Sequence, residues 1–457
     1  MMPVFALRSD HRDIAWPALP DEINARILAL HFQYEQFERW PLADIEAQQF
    51  RQIEALLAFC HTDVPFWRDR LRRAGLRPGQ KLTPQLWSRL PILTRREAQE
   101  LGMALRPARA PADHGKLFTG ATSGSTGMPM HYAKTELARF FFVATNLRIA
   151  LWHGFDMTRT LAAGRLLASG QEVPTSIIAA PSWGEGYESF VTGPGIKFDM
   201  RLPPARQVEI LRQEQAAYLI TFPNNAAQIA RYCRDAGHTL PMLRAINTYG
   251  QVLSEDCRGL CRDVLGVDVV DVYSSEETGF LSMQCPEHDH HHVMAETMKL
   301  EIIDDAGHPC GPGQVGRVII TPLHNFAMPL LRYDIGDYAR VGSPCSCGRT
   351  LPVLTRIMGR ARDRVRLPNG EARLAFWGSQ QLYRIPAIVQ HQLAQISLDT
   401  MEYRLVVRGP LTAEDENLLE SMLHNSLGYP FKVRFAYVDD IPREASGKYR
   451  DFISKID

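Results

Sequence analysis

The 457-residue chain has no excess of charge of either sign: 51 Lys and Arg stand against 51 Asp and Glu. A protein that tracks phosphate backbones ordinarily shows a basic excess or stripe, so nucleic acid is not an expected partner. No apolar run approaches the roughly 20 residues that a membrane-spanning helix needs, and no membrane association is expected. The first twenty residues carry Arg8, Asp10, Arg12 and Asp13 in place of an apolar leader, which is what a cytoplasmic protein would show. Eight cysteines are too few in a chain of this length for a disulfide scaffold. The Gly-Lys-Ser/Thr signature of a P-loop is absent, as are internal repeats and low-complexity tracts. Hydrophobic residues at 45% and charged residues at 22% are ordinary for a soluble globular protein, and the length allows two or three domains.

What is present centres on Thr122-Ser123-Gly124-Ser125-Thr126-Gly127-Met128-Pro129. It holds four hydroxyls and two glycines between an expected strand (116–119) and an expected apolar helix (136–152). Glycines let several backbone N–H groups converge on one point, and hydroxyls add rotatable donors beside the partly positive end of a helix. The ligand such a loop suits is a polyphosphate.

Around this loop the periodicity changes along the chain. Apolar residues at helical spacing (Ile27, Leu30; Ile53, Leu56, Leu57) predict a helical lead-in over 21–80, and the following Leu90-Pro91-Ile92-Leu93-Thr94-Arg95 reads as scaffold. Helical and strand patterns then alternate: a helix over 205–237, a strand over 244–248, and a β-branched run over 267–272. This alternation predicts a layered α/β domain with ligands at the carboxyl ends of its strands, where Tyr249-Gly250-Gln251 and Tyr273 to Gly279 fall. Alternation with period two between Met298 and Ala339 predicts a β-rich subdomain leading to a tight turn at Gly336-Asp337. Gly359-Arg360-Ala361-Arg362-Asp363 reads as a linker. A strand (403–407), a helix (413–427) and a strand (432–437) then make a small C-terminal α+β domain.

The order of motifs is more specific than any one of them. A hydroxyl/Gly loop, Tyr273-x-x-x-Glu277, Tyr333-x-x-Gly336-Asp337, Gly359-Arg360-x-x-Asp363 and a C-terminal Ser446-Gly447-Lys448 together resemble the adenylate-forming (acyl-AMP) ligase superfamily, in its phenylacetate-CoA ligase-like branch. The likeness runs from Val64 onward. It implies a large layered N-terminal adenylation domain (1–357) with a β-rich subdomain, and a small mobile C-terminal lid (358–457). It implies ATP, Mg²⁺ and a carboxylic acid as ligands, with coenzyme A as the acceptor of the acyl group. By the same resemblance Ser123, Gly124, Ser125, Thr126 and Gly127 would hold the phosphates, although Met128 and Met130 stand where basic residues often occur. Glu277 would ligate magnesium, with Glu276 the alternative. Gly250 and Tyr273 would line the adenine slot, Asp337 would accept the ribose hydroxyls, and Arg360 would approach the ribose or α-phosphate. Lys448 would bridge the acid and the α-phosphate.

Cysteine spacing adds a second metal. Cys285-Pro286-Glu287-His288 and Cys345-Ser346-Cys347 are two knuckles that fit a closed tetrahedral zinc site across the β-rich subdomain. His288 has the tighter spacing, whereas His292 matches a histidine common in the resembled branch, and the choice stays open here. Cys233, Cys257, Cys261 and Cys310 read as incidental. The acid pocket is expected near Trp183 to Tyr187, Phe222 to Asn225 and Tyr249. Two further functional readings stand beside acyl-CoA ligation. One is adenylation with transfer to an amine or a carrier-protein thiol. The other is nucleotide binding without catalysis, which the presence of Lys448, Glu277 and Asp337 disfavours. A homodimer is the default expectation.

Overall fold

The computed structural model describes residues 6–14, 16–122, 129–167, 172–360, 364–374, 385, 387–442 and 450–456. Ser123, Gly124, Ser125, Thr126, Gly127, Met128, the linker residues Arg362 and Asp363, and Lys448 lie outside the described residues, as does the Arg360 side chain. The fold is mixed α/β and divides into two compact units. One comprises Met1–Leu161, Ala179–Ile196 and Asp271–Ile357; the other Ala162–Ile178, Lys197–Val270 and Met358–Asp457.

In the first unit the helical lead-in forms as expected, as helices Glu22–Phe37, Leu42–Asp63 and Pro65–Arg73. Leu42–Asp63 buries Ile45, Ile53, Leu56, Leu57 and Cys60, the three-and-four spacing of one face. Most of that face joins a core with Trp67, Leu71, Val318, Ile320, Leu331 and Tyr333. Helix Glu136–Trp152 begins where the Thr135 hydroxyl accepts from the Ala138 N–H. The β-rich part runs in the order Met298–Ile303, Val315–Pro322, Tyr333–Val341, Val353–Arg360, His291–Val293, Gly279–Gln284, Asp268–Ser275. The expected turn at Gly336-Asp337 is instead interior to strand Tyr333–Val341. Arg317 pairs with Tyr338 but Ile319 with Asp334, so two extra residues bulge on that strand, and Gly336 supplies the φ of +85° that the bulge needs. The expected linker is also partly regular, because strand Val353–Arg360 continues through Gly359 and Arg360.

In the second unit the single helix expected over 205–237 is two helices, Pro204–Gln213 and Pro223–Ala236, flanking strand Ala216–Thr221. The run Ala216-Ala217-Tyr218-Leu219-Ile220 is a strand buried through Leu219 and half-buried at Ile220, with no alternation, which periodicity alone does not distinguish from a buried helix segment. It pairs in parallel with Ala245–Tyr249, Thr221 opposite Thr248. The C-terminal portion is a four-stranded sheet in the order Lys432–Tyr437, Thr400–Val407, Ile388–Gln395, Phe452–Ser454. Helix Ala413–Leu427, opened by a Thr412/Asp415 capping box, shares its core through Leu419 and Leu423 with Leu393, Tyr403 and Phe431.

Candidate active site

The residues that flank the Gly-rich loop are clamped together. Thr122 N–H donates to the Met130 carbonyl at 2.9 Å, and Met130 N–H donates to Thr122 Oγ1 at 3.1 Å. Met130 is fully buried, which explains an apolar side chain at that position. The chain leaves through strand His131–Thr135, which pairs with Leu117–Ala121. On it stands Lys134, whose Nζ donates to the Glu276 carbonyl at 2.6 Å and lies 5.2 Å from the Tyr132 ring centroid. Burial pushes the Lys134 ammonium below its ordinary pKa, against the opposing pull of Glu277 and Glu276. Lys134 thus supplies a cation beside the acidic turn, in a stretch whose loop has methionines where basic residues were expected.

Glu277 is 3% exposed at the end of strand Asp268–Ser275, whereas Glu276 is exposed. Arg95 Nη1 donates to Glu277 Oε1 at 2.9 Å and to the Tyr333 hydroxyl at 3.0 Å, and that hydroxyl in turn donates to Glu277 Oε1 at 3.3 Å. Burial, and then the Glu277 carboxylate, push the Tyr333 phenol far above its ordinary value, so it stays a donor. Burial works against the charge of Arg95, but Tyr333 and Glu277 outweigh it and hold its pKa raised. Both contacts fall on Oε1, so Oε2 is the oxygen through which Glu277 would ligate a cation. One or two carboxylates with phosphate oxygens suffice for magnesium.

Arg95, and Tyr333 of the Tyr-x-x-Gly-Asp motif, join the cluster around Glu277, although neither was assigned a role of its own from the sequence. Leu93-Thr94-Arg95 read as scaffold, and Thr94 does cap helix Arg95–Leu101 through the Glu97 N–H. Leu93 also pairs with strand Tyr333–Val341: its N–H donates to Arg332 O at 3.0 Å and its carbonyl accepts from Asp334 N–H at 2.9 Å. That clamp aims Arg95 at Glu277. On the same strand as Tyr333, Asp337 Oδ2 accepts from the Tyr273 hydroxyl at 2.7 Å, joining two motifs 64 residues apart. Gly250, at φ +74° just past strand Ala245–Tyr249, belongs to the second unit.

The cysteine knuckles meet because His291–Val293 pairs with both Gly279–Gln284 and Val353–Arg360. Cys285, His292, Cys345 and Cys347 place one ligand atom each within 4.8 Å of the others, and so do Cys285, His288, His290 and Cys345. Tetrahedral zinc, with Zn–S about 2.3 Å and Zn–N about 2.0 Å, sets sulfur pairs about 3.8 Å apart and sulfur–nitrogen pairs about 3.6 Å apart. The Cys285–Cys345 sulfurs stand 3.9 Å apart, Cys347 Sγ lies 3.3 Å from His292 Nε2, and His288 Nδ1 lies 3.6 and 3.5 Å from Cys285 and Cys345. Burial lowers the His292 imidazole to about 4, so it is the neutral ligand form near pH 7. Its Nδ1 lies 3.4 Å from the Leu351 carbonyl, the kind of contact that orients a ligating ring.

In its mixed α/β fold the chain is similar to solved adenylate-forming CoA ligases. A 2-hydroxyisobutyryl-CoA ligase in its postadenylation state, in complex with R3-HIB-AMP, matches at a TM-score of 0.76 and 19% identity, covering 92% of both chains. In sequence the chain is similar to the phenylacetate-CoA ligase branch. It is 25% identical over 467 residues to a phenylacetate-coenzyme A ligase of Thermus thermophilus, spanning 91% of this chain and 97% of that relative. To a Pseudomonas putida enzyme of the same name it is 24% identical over 349 residues, 70% of this chain and 72% of the relative. Residues 379–455 match the family described as the CapK C-terminal domain.

Proposed function

We propose that the protein is an AMP-forming acid–thiol ligase, which activates a carboxylic acid with ATP and passes the acyl group to coenzyme A. In the first step a carboxylate oxygen of the acid attacks the α-phosphorus. The new O–P bond forms as the bond to the bridging oxygen breaks, and pyrophosphate leaves. In the second the thiolate sulfur attacks the acyl carbon and AMP departs with the electron pair of the mixed anhydride. Little covalent work falls to the protein in such chemistry; positioning and charge neutralisation dominate.

The observation that carries this reading is the convergence of Glu277, Arg95 and Tyr333 by hydrogen bonds, with the Tyr273–Asp337 pair on the strands that lead to Glu277 and Tyr333. Glu277 would hold magnesium through Oε2, and magnesium would neutralise phosphate oxygens there. Arg95 and Tyr333 fix the carboxylate's orientation, and Asp337, already accepting from Tyr273, would accept the ribose hydroxyls. Lys134 adds a positive charge at the same turn. Ser123 to Gly127 would hold the polyphosphate and Lys448 would bridge acid and α-phosphate, with residues 1–357 as adenylation domain and 358–457 as lid. Zinc would be held by Cys285, Cys345, Cys347 and His292. With all four positions filled by protein it would clip the sheet and take no part in the reaction.

Acid-dependent exchange of labelled pyrophosphate into ATP tests the first step without any acceptor. The wild type should exchange with at least one acid in a broad panel, and Lys448→Ala should lose that exchange while still forming thioester from supplied acyl-AMP. Equal loss of both half-reactions would remove the role given to Lys448. A wild type that binds ATP yet exchanges with no acid would overturn the ligase reading.

A further inference from the structure

In the first unit, between helices Pro84–Trp87 and Arg95–Leu101, the chain runs through turns and an isolated β-bridge at Leu93, although Leu90 and Leu93 are fully buried. Its carbonyls have no helix or sheet ladder to satisfy them and need other donors. Two arginines supply them. Arg70 Nη2 donates to Pro91 O at 3.3 Å and Ile92 O at 2.7 Å, and Arg332 Nη1 donates to Ser88 O at 2.9 Å and Leu90 O at 2.7 Å.

Arg332 grips this segment with its backbone as well. Its carbonyl accepts from Leu93 N–H at 3.0 Å, and its N–H donates to the buried Thr321 hydroxyl at 2.9 Å. The rest of the guanidinium faces Glu301, with Nε 3.4 Å from Oε2 and Nη2 3.2 Å from Oε1, and Trp87 Nε1 donates to the same Oε2 at 2.9 Å. The side chain is 5% exposed. Its backbone has φ +45°, a positive value that only Gln215 shares among the described non-glycine residues. Such a conformation is strained for a residue with a Cβ and persists only where the surroundings hold it, which clusters it at functional sites.

Two arms leave Arg332 and meet again. The next residue is Tyr333, whose hydroxyl donates to Glu277 Oε1. The other arm runs through Leu93 to Arg95, whose Nη1 reaches the same Oε1, the Tyr333 hydroxyl and the Ile335 carbonyl. We propose that Arg332 is a positioning residue of the adenylation site: by holding residues 88–93 against strand Tyr333–Val341 it sets Arg95 and Tyr333 on Glu277 Oε1 and keeps Oε2 turned to the cation. Its own side chain is taken up by Ser88, Leu90 and Glu301. The inference rests on the ATP and magnesium part of the ligase reading. Lysine does not replace this residue, because one ammonium cannot present a planar fork to a carboxylate and two carbonyls together. Glycine would take the backbone angle without strain and still lose the fork.

The test is ATP binding by calorimetry with and without magnesium, alongside Tm. In the wild type magnesium should tighten ATP binding. Arg332→Lys and Arg332→Gly should each lose about tenfold of that gain, the lower end of what partners outside the ligand shell contribute, and leave magnesium-free ATP binding unchanged. Glu301→Gln should shift the gain in the same direction by less, and it carries the comparison with Arg332→Lys if Arg332→Gly fails to fold. Leu56→Ala, in the same core but on helix Leu42–Asp63, is the stability control: its Tm should fall while the magnesium gain stays at the wild-type value. A full magnesium gain in the Arg332 variants would overturn the proposal, and so would an equal loss in Leu56→Ala. A wild type whose ATP binding draws nothing from magnesium removes the cation role of Glu277 and this inference with it. Pyrophosphate–ATP exchange keeps the two readings apart, because exchange with no acid beside the expected magnesium pattern overturns the ligase reading and leaves the positioning role of Arg332 standing.

Discussion

Glu277 is paired with Arg95 and, on the proposed reading, would also hold a cation; a double-mutant cycle with Arg95 separates the two. The pair is close, 2.9 Å between Nη1 and Oε1, and well removed from solvent, with side chains 17% and 3% exposed. Removing one partner of a buried pair costs about 3–5 kcal/mol, because the other charge is left uncompensated. Glu277→Gln falls below that range: the amide oxygen still accepts, and Arg95 keeps the Tyr333 hydroxyl and the Ile335 carbonyl. A cost of about 2–3 kcal/mol is expected, lowering Tm by roughly 4–8 °C. Arg95→Leu strands the more deeply buried carboxylate and should cost the full 3–5 kcal/mol or about that. In the double variant both charges are gone, so the two losses should overlap by about 1–3 kcal/mol. Thermal unfolding of the four proteins reads the stability coupling, and pyrophosphate–ATP exchange over a magnesium titration reads the chemistry. Stability should partly return in the double variant relative to Arg95→Leu, and exchange should not. Additive shifts in Tm would refute the ion pair. Exchange by Glu277→Gln with an unchanged magnesium dependence would refute the cation-ligand role.

Three further outcomes follow from the same geometry. Lys134→Met should weaken ATP use at the first step about tenfold, one charge-assisted contact by order of magnitude, with Lys134→Arg partly restoring it; normal exchange by Lys134→Met would remove Lys134 from the site. Metal analysis should find about one zinc per chain, retained in His288→Ala and lost in Cys347→Ser; the reverse pattern would transfer the site to Cys285, His288, His290 and Cys345. Burial lowers the imidazoles of His31, His153 and His324 to about 4, from an ordinary value near 6.5. Between those values the unfolded chain binds more protons than the folded one, so stability rises with pH through that window and falls on acidification. Tm measured from pH 7 to pH 4.5 should therefore drop, and a flat profile would mean that these rings are not held neutral.

The sequence carried the parts of this site that are local and missed those that are not. Tyr273 to Glu277 and Tyr333 to Asp337 are contiguous motifs, and the fold pairs Tyr273 with Asp337 and Tyr333 with Glu277; the Gly-rich loop lies outside the described residues. The helix Glu136–Trp152 and the C-terminal helix and strand are equally local, fixed by caps and by periodicity, and they form where expected. Ala216–Thr221 was lost because a strand buried on both faces has no period to read. Arg95 escaped for a different reason. It is 182 residues from Glu277, and everything near it in sequence is explained by the start of a helix. Only the backbone pairing of Leu93 with Arg332 and Asp334 turns that helix start toward the carboxylate. Lys134 belongs to the same class: it sits on a short strand whose residue type says nothing of the acidic turn it meets. The cysteine knuckles show the limit from the other side. Spacing brought Cys285, Cys345 and Cys347 together correctly, but two histidine choices fit the distances almost equally well. What separates them is the ring nitrogen that faces away from the cysteine sulfurs, which meets the Leu351 carbonyl in His292 and the Ser346 hydroxyl in His288. A buried carbonyl holds one tautomer, whereas an exposed hydroxyl can turn to suit either, so the orientation of His292 is the one the fold has already chosen.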